Sequence, residues 1–350
     1  MRDVLSEITR WNQRGDRIAM ATVVAVQRSA PREPGAKMAV NERGEVAGGV
    51  SGGCVEGAVV GIAEQVMDGG APQLVHFGIA DSDAWDVGLP CGGEIDVWVQ
   101  EYQPSRLEEI LGAGGRAAEV TVIEGPQLGA KLLIEADGGR SGSLGAPELD
   151  DEAARLADEM LWGDTSERRG PWFIDVVAPP PRLILFGAVD VAAHVCTLAR
   201  DAGWQTFVVD PRVRFATRER FPDAEEVIAA WPEEAIAQLG GIDPATSIVV
   251  LTHDPKLDDA ALTLALGSPA RFVGAMGSRR AQAARRERLL AVGMDEEALE
   301  RLSAPVGLDL GAVGRQEMAL SILAEVVAAR HGREGGRLAV GGGRIHQVPA

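Results

Sequence analysis

Aromatic residues are scarce in this chain. Phe, Trp and Tyr together make up 4% of its 350 residues, and Tyr102 is the single tyrosine. Hydrophobic residues nevertheless reach 46%, and low hydrophobicity is the usual signature of disorder. We therefore predict a folded protein whose core is built mainly from aliphatic side chains.

Cysteines and long apolar runs are also few. The three cysteines, Cys54, Cys91 and Cys196, argue against a disulfide framework. No stretch approaches the ~20 apolar residues that a membrane span needs, and the polar start MRDVLSEITRWNQRGD lacks the apolar centre of a signal peptide. We expect a cytoplasmic protein that does not bind a membrane.

Positive charge is in deficit. Lys and Arg number 34 against 52 Asp and Glu, which gives a net charge of −18. Such a surface repels nucleic acids, so we expect no nucleic-acid partner. Residues 1–180 carry 15 basic and 30 acidic residues, whereas residues 181–350 carry 19 and 22. The C-terminal half is therefore the better place for an anionic ligand.

Apolar periodicity predicts the fold class, which is α/β. We expect an N-terminal mixed α/β domain over residues 1–103 and an intermediate mixed segment over 104–178 that can belong to it. Alternating short apolar runs and helices then predict a Rossmann-like, doubly wound parallel sheet over 179–332, and 333–350 form a loose tail. The prolines of Ala178-Pro-Pro-Pro-Arg182 mark a stiff boundary.

A degenerate dinucleotide-binding turn follows the first predicted strand of the C-terminal domain. Gly187-Ala-Val-Asp190 stands where a Rossmann phosphate loop would, and Asp210 lies near the ribose-binding acidic position. Val189 replaces the second fingerprint glycine, and Asp190 adds negative charge beside it. We expect the fold without tight NAD(P) binding.

A better anion site follows a later strand. Gly274-Ala-Met-Gly277-Ser278-Arg279-Arg280 opens a predicted helix that Ser278 can cap. A helix N-terminus with glycines and two arginines suits a phosphate. The alternative is a solvated basic helix face, an interpretation that fits Arg285, Arg286 and Arg288 better than Arg279 and Arg280.

Two cysteines lie beside paired glycines, in Ser51-Gly52-Gly53-Cys54-Val-Glu56 and in Cys91-Gly-Gly93. Backbone amides there can approach a ligand or stabilise a thiolate, although two tight turns would also explain the pattern. The absence of CxxC spacing argues against a structural zinc site. Cys196 lies on a predicted helix and should be part of the core.

Two further loops contain polar candidates. His253 follows a predicted strand at the edge where open α/β sheets bind ligands, and can act as acid, base or ligand, or only as part of a loop. Asp309 lies in a turn-rich loop, Pro305–Gly311, that can close over the same crevice.

Taken in order, these segments resemble the XdhC/CoxI family. The resemblance covers nearly the whole chain and is carried by the segments Ser29–Arg32, Val50–Glu56, Cys91–Gly93, Val209–Arg212, Thr252–Pro255, Val273–Arg280, Gly307–Asp309 and Ser321–Glu325. The family pattern in the first Rossmann turn is Gly-Ala-Gly-His-Val, from which Val189 and Asp190 depart. This departure argues against a nucleotide role for this loop and for Asp210.

The resemblance implies an accessory protein that binds molybdenum cofactor, supports its sulfuration and inserts it into a molybdenum hydroxylase such as xanthine dehydrogenase or a CO-dehydrogenase-like enzyme. The implied partners are that client enzyme and a cysteine desulfurase, and a homodimer is compatible with the sequence. Cys54 and Cys91 would address the molybdenum. The full set of implied cofactor-binding residues is Ser51, Gly52, Gly53, Cys54, Glu56, Cys91, His253, Gly277, Ser278, Arg279, Arg280 and Asp309.

Two alternatives remain beside this cofactor chaperone without turnover of its own. One is an NAD(P)-dependent Rossmann oxidoreductase, which an intact glycine fingerprint would have favoured. The other is a family relative specialised for regulation or for selenium-dependent hydroxylases. The sequence names neither the client enzyme nor the mononucleotide or dinucleotide form of the cofactor.

Overall fold

The computed structural model describes residues 1–27, 32–78, 93–163 and 165–340. The chain divides into two compact units within the run of prolines, with Met1–Pro179 in the first and Pro180 opening the second. Cys91 and residues 29–31 of the Ser29–Arg32 segment lie outside the described residues. None of the helices in the described ranges is long and apolar enough to cross a membrane.

In its described residues, the first unit combines four helices with ten strands. The helices are α1 (Arg2–Gln13), α2 (Glu56–Met67), α3 (Arg106–Gly112) and α4 (Pro147–Met160). The strands are β1 (Ile18–Gln27), β2 (Lys37–Asn41), β3 (Val46–Gly48), β4 (Gln73–Phe77), β5 (Glu94–Glu101), β6 (Ala117–Val122), β7 (Lys131–Glu135), β8 (Arg140–Gly142), β9 (Glu167–Arg169) and β10 (Trp172–Val177).

These strands form two antiparallel sheets of five strands each, in the orders β3-β2-β1-β5-β4 and β8-β7-β6-β10-β9. Helix α2 covers one face of the first sheet and α4 covers the second. Each sheet thus turns an apolar face to a helix, as antiparallel sheets commonly do. The register of β1 against β5 shifts between Val23 and Ala25, which is a β-bulge.

A buried ion pair connects the two sheets. Lys37 on β2 and Asp175 on β10 lie 2.7 Å apart, and both side chains are buried. Burial opposes the charge on Asp175, but Lys37 outweighs it and holds the pKa of this carboxyl below its ordinary value. Ser166 Oγ donates to the other oxygen of Asp175 at 2.9 Å, which fixes the segment that enters β9.

The second unit is a doubly wound sheet, as predicted. Its strands are β11 (Arg182–Phe186), β12 (Gln205–Val209), β13 (Glu226–Ile228), β14 (Ser247–Val250), β15 (Phe272–Ala275) and β16 (Leu302–Ser303), and its helices are α5 (Asp190–Asp201), α6 (Pro232–Gln238), α7 (Pro255–Leu266), α8 (Arg279–Ala291), α9 (Glu296–Glu300) and α10 (Arg315–Arg330).

All strand pairs of this sheet are parallel, in the order β13-β12-β11-β14-β15-β16. This is the Rossmann strand order. Helices α5 and α10 pack on one face, and α6, α7, α8 and α9 pack on the other. Cys196 of α5 is fully buried, as predicted, and burial raises the pKa of its thiol to about 11.

Candidate functional site

The loop before α2 is organised around one carboxylate of the chain itself. Glu56 accepts hydrogen bonds from five backbone amides, those of Val50, Ser51, Gly52, Gly53 and Val55, and from the hydroxyl of Ser51 at 2.6 Å. Burial alone would raise the pKa of Glu56, but these donors outweigh it and lower the pKa to about 2. Its oxygens are therefore committed to holding the loop.

Cys54 stands at the end of this loop. Its thiol is free and its side chain is half-buried, and its amide donates to Ser51 Oγ at 3.0 Å. Gly53 has a φ of 115°, which an L side chain rarely adopts, so the turn that presents Cys54 requires glycine. Nε of Arg32 donates to the carbonyl of Gly49 at 3.2 Å and so contacts the residue that precedes this loop.

In the first Rossmann turn of the second unit, the groups that a nucleotide would contact are hydrogen-bonded to other residues of the chain. Asp210 is fully buried, and its Oδ2 accepts from the amide of Ala188 at 2.8 Å. Arg212 donates from its amide and its Nε to Asp210 Oδ1, at 2.9 and 2.8 Å, and from Nη2 to Oδ2 at 2.6 Å. Burial opposes ionisation, but these hydrogen bonds hold the pKa of Asp210 below its ordinary value. No oxygen of Asp210 is left for a ribose.

Asp190 at the start of α5 is flanked by two arginines. Arg315 lies 2.7 Å from one of its oxygens and Arg220 lies 3.2 Å from the other. Two guanidinium groups outnumber one carboxylate, which corrects the expectation that Asp190 makes this turn electronegative. The steric obstacle at Val189 remains.

The turn between β15 and α8, in contrast, has hydrogen-bond donors that are not occupied. Ser278 caps α8, as predicted, by accepting from the amide of Ala281 at 3.2 Å. Arg279 and Arg280 are the first two residues of the helix. Both side chains are exposed, and neither forms an ion pair with another residue of the described chain. This helix N-terminus therefore offers donors that no acceptor within the described residues takes up.

A buried arginine supports this turn from behind. Arg285 Nη2 donates to Asp258 at 2.8 Å and to the carbonyl of Met276 at 3.1 Å, and the Arg285 and Asp258 side chains are both buried. The interpretation of Arg285 as part of a solvated face was wrong, because α8 turns this residue inward. Nε of Arg285 and Nε2 of Gln282 are buried donors without an acceptor.

The remaining candidates lie at the same edge of the sheet. His253 is exposed in the loop that follows β14, next to Asp254, which caps α7. Asp309 is exposed in the loop that follows β16, and Ser321 of α10 holds that loop by donating to the carbonyl of Leu308 at 2.6 Å. The second unit thus brings Gly277–Arg280, His253 and Asp309 to one carboxyl edge. Ser51–Glu56 belong to the first unit.

Two family models match the chain. The XdhC Rossmann domain matches residues 183–326, and the model described as the XdhC and CoxI family matches 11–78 and 110–169. The chain belongs to the XdhC and CoxI family. This confirms the family predicted from the sequence.

Relatives of known name support the same assignment. A Bacillus subtilis protein named as a probable subunit of xanthine dehydrogenase is 29% identical over 89% of this chain and 92% of its own length. The "Molybdenum cofactor insertion chaperone PaoD" of Escherichia coli is 26% identical over 90% of this chain and 84% of its own length. A crystal structure described as a xanthine dehydrogenase from Bacillus halodurans, 26% identical, matches 97% of this chain and 98% of its own with a TM-score of 0.69.

Replacing Glu56 by Gln should loosen the Cys54 loop. Hydrogen bonds to a charged group contribute ~1.5–3 kcal/mol each, so amide exchange at Ser51, Gly52 and Gly53 should become at least about 10-fold faster. The matched control is Glu64→Gln, an exposed position on the same helix, which should leave those rates unchanged. Equal exchange in wild type and Glu56→Gln would show that the loop does not need the carboxylate.

The contribution of Glu56 to the free energy of unfolding should also depend on pH. Because its pKa in the folded protein lies near 2, below the ordinary value of 4.5, its stabilising contribution is complete above the ordinary value and is lost as the pH falls toward 2. The difference in unfolding free energy between wild type and Glu56→Gln should therefore shrink across that acid range. A constant difference would contradict the assignment.

NAD(P) should bind no tighter than about millimolar, an affinity of roughly −4 kcal/mol. The amide of Ala188 already donates a hydrogen bond to Asp210, and the side chain of Val189 obstructs the approach of a pyrophosphate. Because the amide remains occupied, Val189→Gly should bind NAD(P) no better than wild type in calorimetry. Micromolar binding by wild type would revive the oxidoreductase alternative.

Proposed function

We propose that this protein binds molybdenum cofactor as cargo, supports its sulfuration, and inserts it into a molybdenum hydroxylase such as xanthine dehydrogenase or a CO-dehydrogenase-like enzyme, without turnover of its own. The observation that carries the proposal is the donor-rich turn of Gly277, Ser278, Arg279 and Arg280. The name of the Escherichia coli relative PaoD, an insertion chaperone for molybdenum cofactor, supports it.

The phosphate of the cofactor fits this turn. Backbone amides at the N-terminus of the 13-residue helix α8 and the guanidinium groups of Arg279 and Arg280 provide donors and positive charge. Buried donors of Arg285 and Gln282 without an acceptor lie behind the same turn, so no carboxylate of the described residues opposes an anion there from that side except Asp258, which Arg285 neutralises. His253 and Asp309 border the site and would contact the remainder of the cargo.

The thiol of Cys54 fits the metal end of the cofactor. Ser51, Gly52 and Gly53 form the turn that presents it, and Glu56 holds that turn, so we assign Glu56 a positioning role. Cys91, which precedes a second pair of glycines, would supply another thiol. A cysteine desulfurase would be the sulfur donor for cargo held in this way.

The NAD(P)-dependent oxidoreductase is the weaker alternative. A dinucleotide needs a free amide and an acidic acceptor at the first Rossmann turn, and here Ala188 and Asp210 are bonded to each other. The anion-binding features instead lie at the turn between β15 and α8.

Removing Arg279 or Arg280 should weaken the binding of molybdenum cofactor. A charged hydrogen bond contributes roughly 1.5–3 kcal/mol, so Arg279→Ala and Arg280→Ala should each raise the Kd for molybdenum cofactor about 10- to 150-fold. The affinity of wild type should fall as salt rises, because the contact is partly ionic. The matched control is Arg288→Ala on the same helix, since Arg288 is already engaged by Asp259 at 2.7 Å. If both arginine variants bind like wild type, the anion site lies elsewhere.

Cys54→Ser should fold normally but lose the ability to protect bound molybdenum cofactor from oxidation, measured as the decay of transferable cofactor in air. Cys196→Ala serves as the control, because that thiol is buried in α5. Wild-type protection by Cys54→Ser would reassign Cys54 to a structural role.

A further inference from the structure

One peptide group in the turn between β15 and α8 has its two ends in different surroundings. The carbonyl of Met276 accepts a hydrogen bond from Nη2 of Arg285 at 3.1 Å, and Arg285 is 3% exposed. The peptide bond between Met276 and Gly277 is trans, and in a planar trans peptide the C=O and N–H bonds point in opposite directions. Because the carbonyl points into the interior, the amide of Gly277 points away from it.

The amide of Gly277 donates to no acceptor among the residues that the structure describes. The preceding amide, that of Met276, differs in this respect, because it donates to the carbonyl of Val250 at 2.8 Å. The residues that follow Gly277, Ser278–Arg280, are exposed. The Gly277 amide is therefore a free donor that opens toward the exposed N-terminus of α8.

Only glycine suits this backbone conformation. The φ of Gly277 is 142°, which L side chains rarely adopt, and a Cβ at this position would lie 3.0 Å from Nε2 of Gln282. Gln282 accepts a hydrogen bond on its Oε1 from Nη1 of Arg285. Arg285 and Gln282 thus hold the turn from its interior side, and the absence of a side chain at Gly277 lets them pack against it.

Two further buried side chains hold Arg285 in place. Its Nη2 also donates to Asp258 Oδ2 at 2.8 Å, and Asp258 Oδ1 accepts from the hydroxyl of Thr252. Thr252 and Asp258 are 3% and 2% exposed. Both oxygens of Asp258 are therefore occupied, and a buried polar network with satisfied members is rigid. Arg285 is neutralised by Asp258 and lies on the carbonyl side of the peptide, so it acts on the front of the turn through that peptide.

We propose that Arg285 is a positioning residue for the anion site: by holding the Met276 carbonyl inside, it directs the amide of Gly277 at a bound oxyanion. The inference rests on the proposed function and adds to it one backbone donor and the residue that orients this donor. The ligand chemistry is a tetrahedral oxyanion such as phosphate, whose several oxygens can accept from the Gly277 amide and from the guanidinium groups of Arg279 and Arg280 together.

A single NMR signal reports on both ends of this peptide. The dipeptide Met-Gly occurs once in the sequence, at Met276 and Gly277. Isotopic labelling of the methionine carbonyl carbon and the glycine nitrogen therefore leaves one carbonyl-to-amide correlation in the full-length protein. Inorganic phosphate should move the amide proton of this signal downfield in a saturable manner, because the N–H donates to an anion. Sodium chloride of equal ionic strength, which screens charge without accepting this hydrogen bond, should not.

Arg285→Met combined with Asp258→Leu removes the guanidinium and the carboxylate together, so that neither charge is left buried without its partner. This double variant should change the chemical shift of the Met276 carbonyl and abolish the response of the Gly277 amide to phosphate. Its phosphate affinity should fall about 10-fold or more, the value of one hydrogen bond to a charged group. Arg285→Lys keeps the charge that Asp258 needs but is too short to hold the carbonyl. It should give the same changes, which keeps the test informative if the double variant fails to fold.

The matched control is Arg301→Met. Arg301 also donates to backbone carbonyls of the second unit, those of Leu266, Ser268 and Ala270. Its loss should lower the free energy of unfolding without changing the phosphate affinity or the Gly277 signal. A merely structural role for Arg285 would give the Arg285 variants that same result.

A wild-type Gly277 signal that phosphate does not move, or wild-type phosphate affinity in the Arg285 variants, would overturn the inference. If phosphate binds with dependence on Arg279 but the Gly277 signal stays in place, this inference fails and the anion site of the proposed function stands. If the Gly277 amide responds to phosphate but molybdenum cofactor does not bind, the proposed function fails and the turn remains a site for a tetrahedral oxyanion.

Discussion

Backbone amides at the ends of strands and the starts of helices need acceptors, and at three turns of this protein the acceptor is a carboxylate of the chain itself. Glu56 accepts hydrogen bonds from five amides of the Cys54 loop, and Asp210 accepts one from the amide of Ala188. Glu325 of α10 takes the amide of Gly307 and the hydroxyl of Ser303. A phosphate at any of these three turns would have to compete with a carboxylate for the same amides.

The turn between β15 and α8 is held by a cation instead. Nη2 of Arg285 donates both to the carbonyl of Met276 and to Asp258, which neutralises the guanidinium, so the chain places an arginine and not a carboxylate against this turn. Removing one partner of such a buried pair typically costs about 3–5 kcal/mol, because the other charge is left uncompensated. The same reasoning applies to Lys37 and Asp175 in the first unit. Both pairs therefore fix backbone positions close to the candidate sites.

The sequence predicted most helices and strands because the apolar periodicity of the second unit is strong and its turns contain glycine. It missed β8, because Gly138-Gly-Arg-Ser-Gly142 is typical of a turn, and it missed β9 and β10, because Glu167-Arg-Arg169 has no apolar residue and Asp175 interrupts the apolar run of β10. Asp175 can lie inside because Lys37, more than a hundred positions away, neutralises it. It also missed α9 and the two-residue strand β16, which are too short to show a period.

The candidate site was only partly predictable for a similar reason. Motifs pointed to Arg279, Arg280 and Cys54, which are exposed or half-buried and lie in glycine-rich turns. The role of a charged residue depends on its partners, and the sequence does not show them. Arg285 looks like any surface arginine of a basic helix until α8 turns it toward Asp258, and Glu167 is inconspicuous until β9 buries one of its oxygens.

Two polar features that find no partner among the described residues have opposite polarity. The turn before α8 has unused donors and lies in the half of the sequence with 19 basic and 22 acidic residues, while Glu167 has an unused acceptor and lies in the half with 15 and 30. A phosphate needs donors, so it meets complementary chemistry at the turn before α8 and not at Glu167. The anion-binding part of the proposed function therefore rests on residues of the second unit.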